Sequence, residues 1–188
     1  MSPDDRPRAW VSAPGLWHIR GLEAFLPEYR LQRLPSPGTR AVIGWGRKGT
    51  SWVGRTWAER AGVPYLPLED GFLRSIGLGE AGAAPHSLLI DDLGVHHDAR
   101  RPSRLETLIR EPGSWFDSAL DSRARALIQT LRATGLSKTS MGRLDLDLPP
   151  ASGPRILVVD QTAGDASIAG GLADGDSFMA MAEAARAA

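Results

Sequence analysis

The chain has 188 residues, with 22 basic and 22 acidic side chains, no cysteine, 42% hydrophobic residues and 23% charged ones. This is a globular composition with enough length to bury a core. It excludes disulfides, thiolate catalysis and cysteine-ligated zinc, and the zero net charge argues for neither a nucleic acid nor an anionic membrane.

The first 40 residues are rich in Pro and Trp and read as a partly irregular lead-in, with a short helix near 20–26. After the breaker cluster LPSPGTR, the run AVIGWG (41–46) reads as a buried strand that leaves into a glycine loop. A helix follows, capped by Thr50 or Ser51 and closed at Gly62. VPYLPLED is the next strand, and its two prolines predict a short or edge position. HSLLIDD (86–92) is another strand. PSRLETLIREPG carries a capping box, Ser103 with Glu106 three residues on, and ends at Pro112 and Gly113. The helix that follows is expected to be capped by Ser114, to bury the stripe Leu120, Ala124, Leu127, Ile128 and Leu131, and to end at Gly135.

Residues 136–154 have the composition of a linker. RILVVD (155–160) reads as a buried parallel strand, QTAGDASIAGG as a loop, and the last segment as a helix capped near Asp174 or Asp176. The alternation predicts an α/β fold with a mainly parallel sheet. The expected division is a lead-in (1–40), a first Rossmann-like domain (41–135), a linker (136–154) and the start of a second α/β domain (155–188). The final helix runs to the last residue without a cap, so a truncated chain is expected. No apolar run reaches the roughly 18 residues of a membrane helix, and the N-terminus MSPDDRPRAW has no signal-peptide core. The expectation is a cytoplasmic protein.

Four constellations could carry chemistry. GWGRKGTS (44–51) places Gly46, Arg47 and Lys48 between a strand and a helix, where backbone N–H groups and basic side chains suit an anion. It matches neither the Walker nor the dinucleotide pattern. LEDGFLRS (68–75) puts Glu69 and Asp70 at a strand's carboxyl end, the edge at which open α/β sheets bind ligands. Adjacent side chains of an extended segment point oppositely, so one carboxylate is expected to face a pocket. The competing reading is an acidic turn in which Gly71 supplies a positive φ.

The third, around His96, His97 and Asp98, has no metal-ligand spacing and reads better as a hydrogen-bonded turn. The fourth, VVDQTAGDAS, puts Asp160 at a strand tip, with Gln161 and Asp165 beside it. That suits a nucleophile or base held on a rigid element, or equally a carboxylate that caps its own loop. The six tryptophans read as core and interface, with sugar stacking as the less specific alternative.

GWGRK, LPLEDGFLRSIGLG, HSLLIDDLGVHHDARRPSRLETLI and VVDQTAGDASI, in this order over roughly residues 41–180, resemble the KpsC-type capsule polysaccharide β-Kdo transferases. The resemblance implies a GT-B-like fold of two Rossmann-like halves, of which this chain holds the first and the start of the second. It also implies retaining transfer of Kdo from CMP-Kdo onto a lipid-linked, phosphatidylglycerol-type Kdo acceptor, by double displacement and without a metal or further cofactor. The expected partners are other capsule biosynthesis and export proteins, with no nucleic acid, at a peripheral position on the inner face of the inner membrane.

Carried over, Asp160 matches the nucleophile and Glu69 is the candidate acid/base. Gly46, Arg47, Lys48 and Asp70 are candidates to bind substrate, as are Gly71, Arg74, Ser75, Gln161 and Asp165. Arg74 and Lys48 would meet a sugar carboxylate or a phosphate, since a guanidinium fork suits a planar carboxylate. GVHH stands where such proteins carry an aromatic pair. No histidine follows residue 97, so the family's His-Pro motif lies outside the chain, which is expected to be inactive alone. Two readings from other classes stand beside this one. They are a non-catalytic α/β interaction module, and a hydrolase or phosphate-handling enzyme that uses Asp160 or Asp70.

Overall fold

The computed structural model describes residues 5–47, 49–111, 113, 115–140 and 147–188. Five strands form one sheet: β1 (Arg8–Val11), β2 (Arg30–Gln32), β3 (Thr39–Trp45), β4 (Tyr65–Asp70) and β5 (Leu88–Ile90). Their spatial order is β2-β1-β3-β4-β5. The first three pairings are parallel and β4–β5 is antiparallel. This is the expected α/β fold with a mainly parallel sheet.

The helices are α1 (Trp52–Ala61), α2 (Arg104–Arg110), α3 (Ser118–Thr134), α4 (Ala166–Gly170) and α5 (Gly175–Ala187). Among the described residues, no helix is long and apolar enough to cross a membrane.

The pleat sorts β3 into two faces. Ala41 and Ile43 meet Ala9, Val11, Leu66 and Leu68 on one side. There the 3₁₀ turns at Pro14–His18 and Leu22–Phe25 close the core with Leu16, Leu22 and Leu26. Val42 faces the other side, where Gly54 and Ala58 of α1 are buried. α1 ends as its sequence predicts, on Gly62 in the left-handed conformation.

Two expectations are corrected in this region. The first 40 residues contain two strands of the sheet and much of the core, not only a frayed start. And β4 is an interior strand despite Pro67, which is fully buried, while Pro64 lies before it. Pro67 escapes the usual exclusion because the β4–β5 ladder covers only Leu68–Asp70, and its carbonyl accepts from the N–H of Asp91 at 3.3 Å.

Asp91 anchors the loop after β5. It is buried; its Oδ1 accepts from the N–H groups of Leu93 (2.8 Å) and Gly94 (2.7 Å), and its Oδ2 from the N–H of Arg104 (2.8 Å). The start of α2 is thereby tied to the sheet, and Ser103 caps the helix by accepting from Glu106 N–H at 3.0 Å. Asp91→Ala leaves these donors without their acceptor. It is expected to cost about 2–4 kcal/mol of stability, read by denaturant unfolding.

Downstream, structure and sequence pattern part. α3 is capped by Asp117, whose Oδ1 accepts from Leu120 N–H at 2.8 Å. The predicted cap Ser114, and Pro112, lie outside the described residues. The apolar stripe of α3 buries no residue, and Leu127 and Ile128 are exposed. Residues 155–160 form no regular element and pair with no strand among the described residues, and Leu157 is 86% exposed. The buried strand expected there is not formed. An apolar β-branched run becomes a strand only when a neighbour accepts its hydrogen bonds, so local pattern alone does not suffice. Part of the expected 161–171 loop is the short helix α4.

Candidate functional site

The carboxyl ends of β3 and β4 open onto a polar cavity of about 250 Å³. Trp45, Glu69 and Asp70 line it from the sheet, His96 and His97 from the loop after β5, and Lys138 from the segment after α3. Gln161, Asp165 and Ser167 close it from the far side. Segments distant in sequence are thus held together at the edge where ligands of parallel sheets bind.

Backbone bonds keep them there. Arg74 N–H and Ser75 N–H donate to the carbonyl of Lys138 (2.8 and 3.2 Å), and Gly77 N–H donates to that of Thr139 (2.9 Å). Ala99 N–H donates to the carbonyl of Gly170 (2.8 Å). A Cβ on Gly170 would come 2.5 Å from the carbonyl oxygen of His97, so only glycine lets α4 approach this closely.

Glu69 and Asp70 both line the cavity, against the expectation of one, but their surroundings differ. Glu69 is the more enclosed. Its Oε1 is 3.9 Å from Nε2 of His97, and it lies against Gly46, whose φ is 54°. A Cβ on Gly46 would collide with Glu69 Oε1, so the glycine of GWG gives the carboxylate its seat. Asp70 is held by Arg74 Nε at 2.6 Å, with Lys138 Nζ at 3.8 Å.

Arg74 is turned inward. Beyond Asp70 it donates to Ser75 Oγ (2.8 Å) and to the carbonyl of Ala83 (2.9 Å). Ser75 is itself buried and donates to the carbonyl of Gly77 at 2.7 Å. Arg74 and Ser75 therefore brace the loop. Gly71 does not have the positive φ expected of it; it is required because Ser87 approaches so closely that a Cβ would overlap its side chain.

On the opposite wall, Gln161 Nε2 donates to Ser167 Oγ at 3.1 Å, and Asp165 caps α4 by accepting from Ser167 N–H at 2.8 Å. Asp160 is exposed and outside the cavity lining. Its Oδ1 accepts from the N–H of Gln161 at 2.7 Å, one residue from the wall. Arg47 lines a different cavity. Lys48 lies outside the described residues.

Sequence reasoning missed His96 and His97, which the loop places edge to face, ring centroids 5.3 Å apart, with Phe72 against His96 at 5.7 Å. Their adjacency argued against a shared metal but did not reveal that both line the cavity of Glu69. Among the described residues, no three His, Asp or Glu side chains are grouped to hold a metal ion.

Burial, then His97 and Lys138, lower the pKa of His96 below its ordinary 6.5, and Asp91 opposes this weakly. Below pH 6.5 the unfolded chain therefore binds the proton more readily. Stability is full above that value and is lost as pH falls through the folded pKa. His96→Gln is expected to flatten this acid-side slope, read from thermal melts on either side of pH 6.5.

The sequence model of the family described as "Capsule polysaccharide biosynthesis protein" matches residues 40–116. The "Capsule polysaccharide modification protein LipA" of Neisseria meningitidis serogroup A is 36% identical over 181 residues, 94% of this chain and 25% of LipA. Among solved structures, "Thermosulfurimonas dismutans KpsC, beta Kdo 2,4 transferase" superposes with a TM-score of 0.85 at 37% identity, covering 96% of this chain and 56% of that one. The same organism's "KpsC, beta Kdo 2,7 transferase" gives 0.57 at 30% identity, over 86% and 51%. The chain thus spans about a quarter of LipA and about half of each KpsC structure.

Proposed function

We propose that the chain is part of a KpsC-type capsule polysaccharide protein, a reading its similarities support, and that it supplies one wall of the cleft of a retaining β-Kdo glycosyltransferase. The observation that carries this reading is the enclosed Glu69 at the carboxyl end of β4, facing the 161–167 loop across a polar cavity.

In this reading CMP-Kdo is the donor. The carboxylate of Asp160 attacks the anomeric carbon as the bond to CMP breaks, giving a glycosyl-enzyme ester. A hydroxyl of the acceptor then displaces Asp160 and passes its proton to Glu69. Two displacements at one carbon retain its configuration. Asp70 is already bound to Arg74 and Lys138, which leaves proton transfer to Glu69 and weighs against a hydrolase built on Asp70. His97, at 3.9 Å, polarises or relays to Glu69. Gln161, Asp165 and Trp45 contact the sugar in this reading, Trp45 as an apolar wall, which their shared place in the cavity lining supports.

The acceptor is a lipid-linked Kdo, which would bring the protein to a membrane surface at the cytoplasmic side. In this reading the cleft's other wall corresponds to part of the relatives' length that this chain does not cover.

The test is transfer. The whole gene product that carries this segment is incubated with CMP-Kdo and a synthetic Kdo-bearing lipid acceptor, and the product linkage is read by NMR. A β-linked Kdo product supports the reading. CMP-Kdo left intact, while another sugar nucleotide is consumed, rejects it.

A further inference from the structure

A second polar cavity, of about 410 Å³, shares no lining residue with that of Glu69. Three arginines from three segments converge on it: Arg47 from the turn after β3, Arg55 from the first turn of α1 and Arg101 from the loop before α2. Tyr65 of β4 forms part of the wall.

Like charges do not gather without a reason. Arg47 is partly buried, and its pKa is lowered by that burial and then by Arg101 and Arg55. A guanidinium does not relieve the repulsion by losing its proton near neutral pH. Nor do carboxylates pair directly with the cluster. Among the described residues, none of the three guanidiniums is in ion-pair contact with one.

Two carboxylates, Asp92 and Glu59, share the wall, and Asp98 lies close enough to favour the charged form of Arg47, as its last and smallest influence. Asp92 takes two bonds from Arg104 (2.8 and 2.6 Å), Asp98 two from Arg100 (2.7 and 3.0 Å), and Glu59 is exposed on α1. The cluster is also partly pre-set. Arg55 Nε donates to Ser51 Oγ at 3.1 Å, and the Tyr65 hydroxyl donates to the carbonyl of Gly46 at 2.9 Å.

We propose that this cavity binds a phosphate group, held by the guanidiniums of Arg47, Arg55 and Arg101. With Asp92 held by Arg104, the three guanidiniums outweigh the lining Glu59 by two charges, more than one carboxylate ligand neutralises. A phosphate carries up to two charges and offers oxygens in several directions, so forks from separate elements each find an acceptor. The group's source is either a soluble phosphate compound or the headgroup of a phospholipid, and the site chemistry is the same for both. The inference stands independently of the sugar-transfer chemistry, since none of its residues lines the cavity of Glu69; Arg47, a substrate-binding candidate in the sequence, is assigned here instead.

The experiment is calorimetric titration of the 188-residue chain with inorganic phosphate and, separately, acetate, at constant ionic strength so that screening does not differ. Phosphate is expected to bind and acetate to bind at least about tenfold more weakly. Arg101→Gln, at an exposed position, is expected to weaken phosphate binding about tenfold, as loss of one charge-assisted fork does. Without phosphate, Arg101→Gln should melt at the same temperature as the parent or higher, because it relieves repulsion. A salt-bridge role would give the opposite shift.

Vesicles of phosphatidylglycerol in phosphatidylcholine, against phosphatidylcholine alone, identify the source. Retention on the anionic vesicles that phosphate competes off and Arg101→Gln weakens supports a lipid headgroup. Phosphate binding without vesicle retention supports a soluble compound. No phosphate binding, equal binding of acetate, or Arg101→Gln binding phosphate like the parent would overturn the proposal.

Discussion

Glu69→Gln is expected to lower the rate of Kdo transfer by about 10²–10⁴-fold, the usual worth of a positioned proton-transfer group. The replacement keeps the shape and removes the titrating oxygen, so it separates chemistry from packing. The seat of the carboxylate makes the prediction specific. Glu69 lies against Gly46 and faces His97 at 3.9 Å, while its neighbour Asp70 is fixed by Arg74 at 2.6 Å. Asp70→Asn should therefore act chiefly through the loop that Arg74 braces and lower stability more than turnover. Gly46→Ala forces a Cβ onto Glu69 Oε1 at a φ of 54°, and should reduce kcat while leaving Glu69 chemically intact. Initial rates with CMP-Kdo, beside unfolding curves of each variant, check this set. Wild-type rates in folded Glu69→Gln would remove the residue from the chemistry.

Asp160→Asn is expected to have the larger effect, a loss beyond about 10⁴-fold, because an amide neither attacks nor leaves as a carboxylate does. In the structure Asp160 is at the rim, exposed, with its Oδ1 turned back to the N–H of Gln161. The nucleophile role needs that carboxylate to turn toward the cavity that Gln161 already lines. Asp165→Asn, by contrast, alters a cap of the short helix α4 and should leave a measurable rate. Single-turnover kinetics would separate the two. If Asp160→Asn releases CMP in a burst as the parent does, the first displacement does not use Asp160.

Much of the central βαβ unit was legible from local rules. AVIGWG is β-branched and ends in glycine, Gly62 and Gly135 close their helices in the left-handed conformation, and Ser103 caps α2. These features depend on neighbours in sequence, which is what sequence displays. The failures share the opposite cause. β1 and β2 are four and three residues long and owe their state to β3 and to each other. β4 keeps Pro67 in an interior position because β5 pairs with only its last three residues. RILVVD has a strand's pattern and no ladder among the described residues, and α3 has an amphipathic stripe of which no residue is fully buried.

The site divides in the same way. Glu69 was legible as an acid at a strand's carboxyl end, but nothing local tells that Gly46 would seat it, that His97 would face it, or that Lys138 would return beside Asp70 after a helix. Arg74 is the converse: a free cation in the motif, it is a brace in the fold.

The measurement that tests the account most directly is the position of Kdo on the protein. The whole gene product is mixed with CMP-Kdo without acceptor and quenched in acid, and its peptides are mapped by mass spectrometry. The account predicts Kdo on the peptide that contains Asp160, and its absence from Asp160→Asn. Kdo on the peptide that contains Glu69, or on none while CMP is being released and product forms, would contradict it.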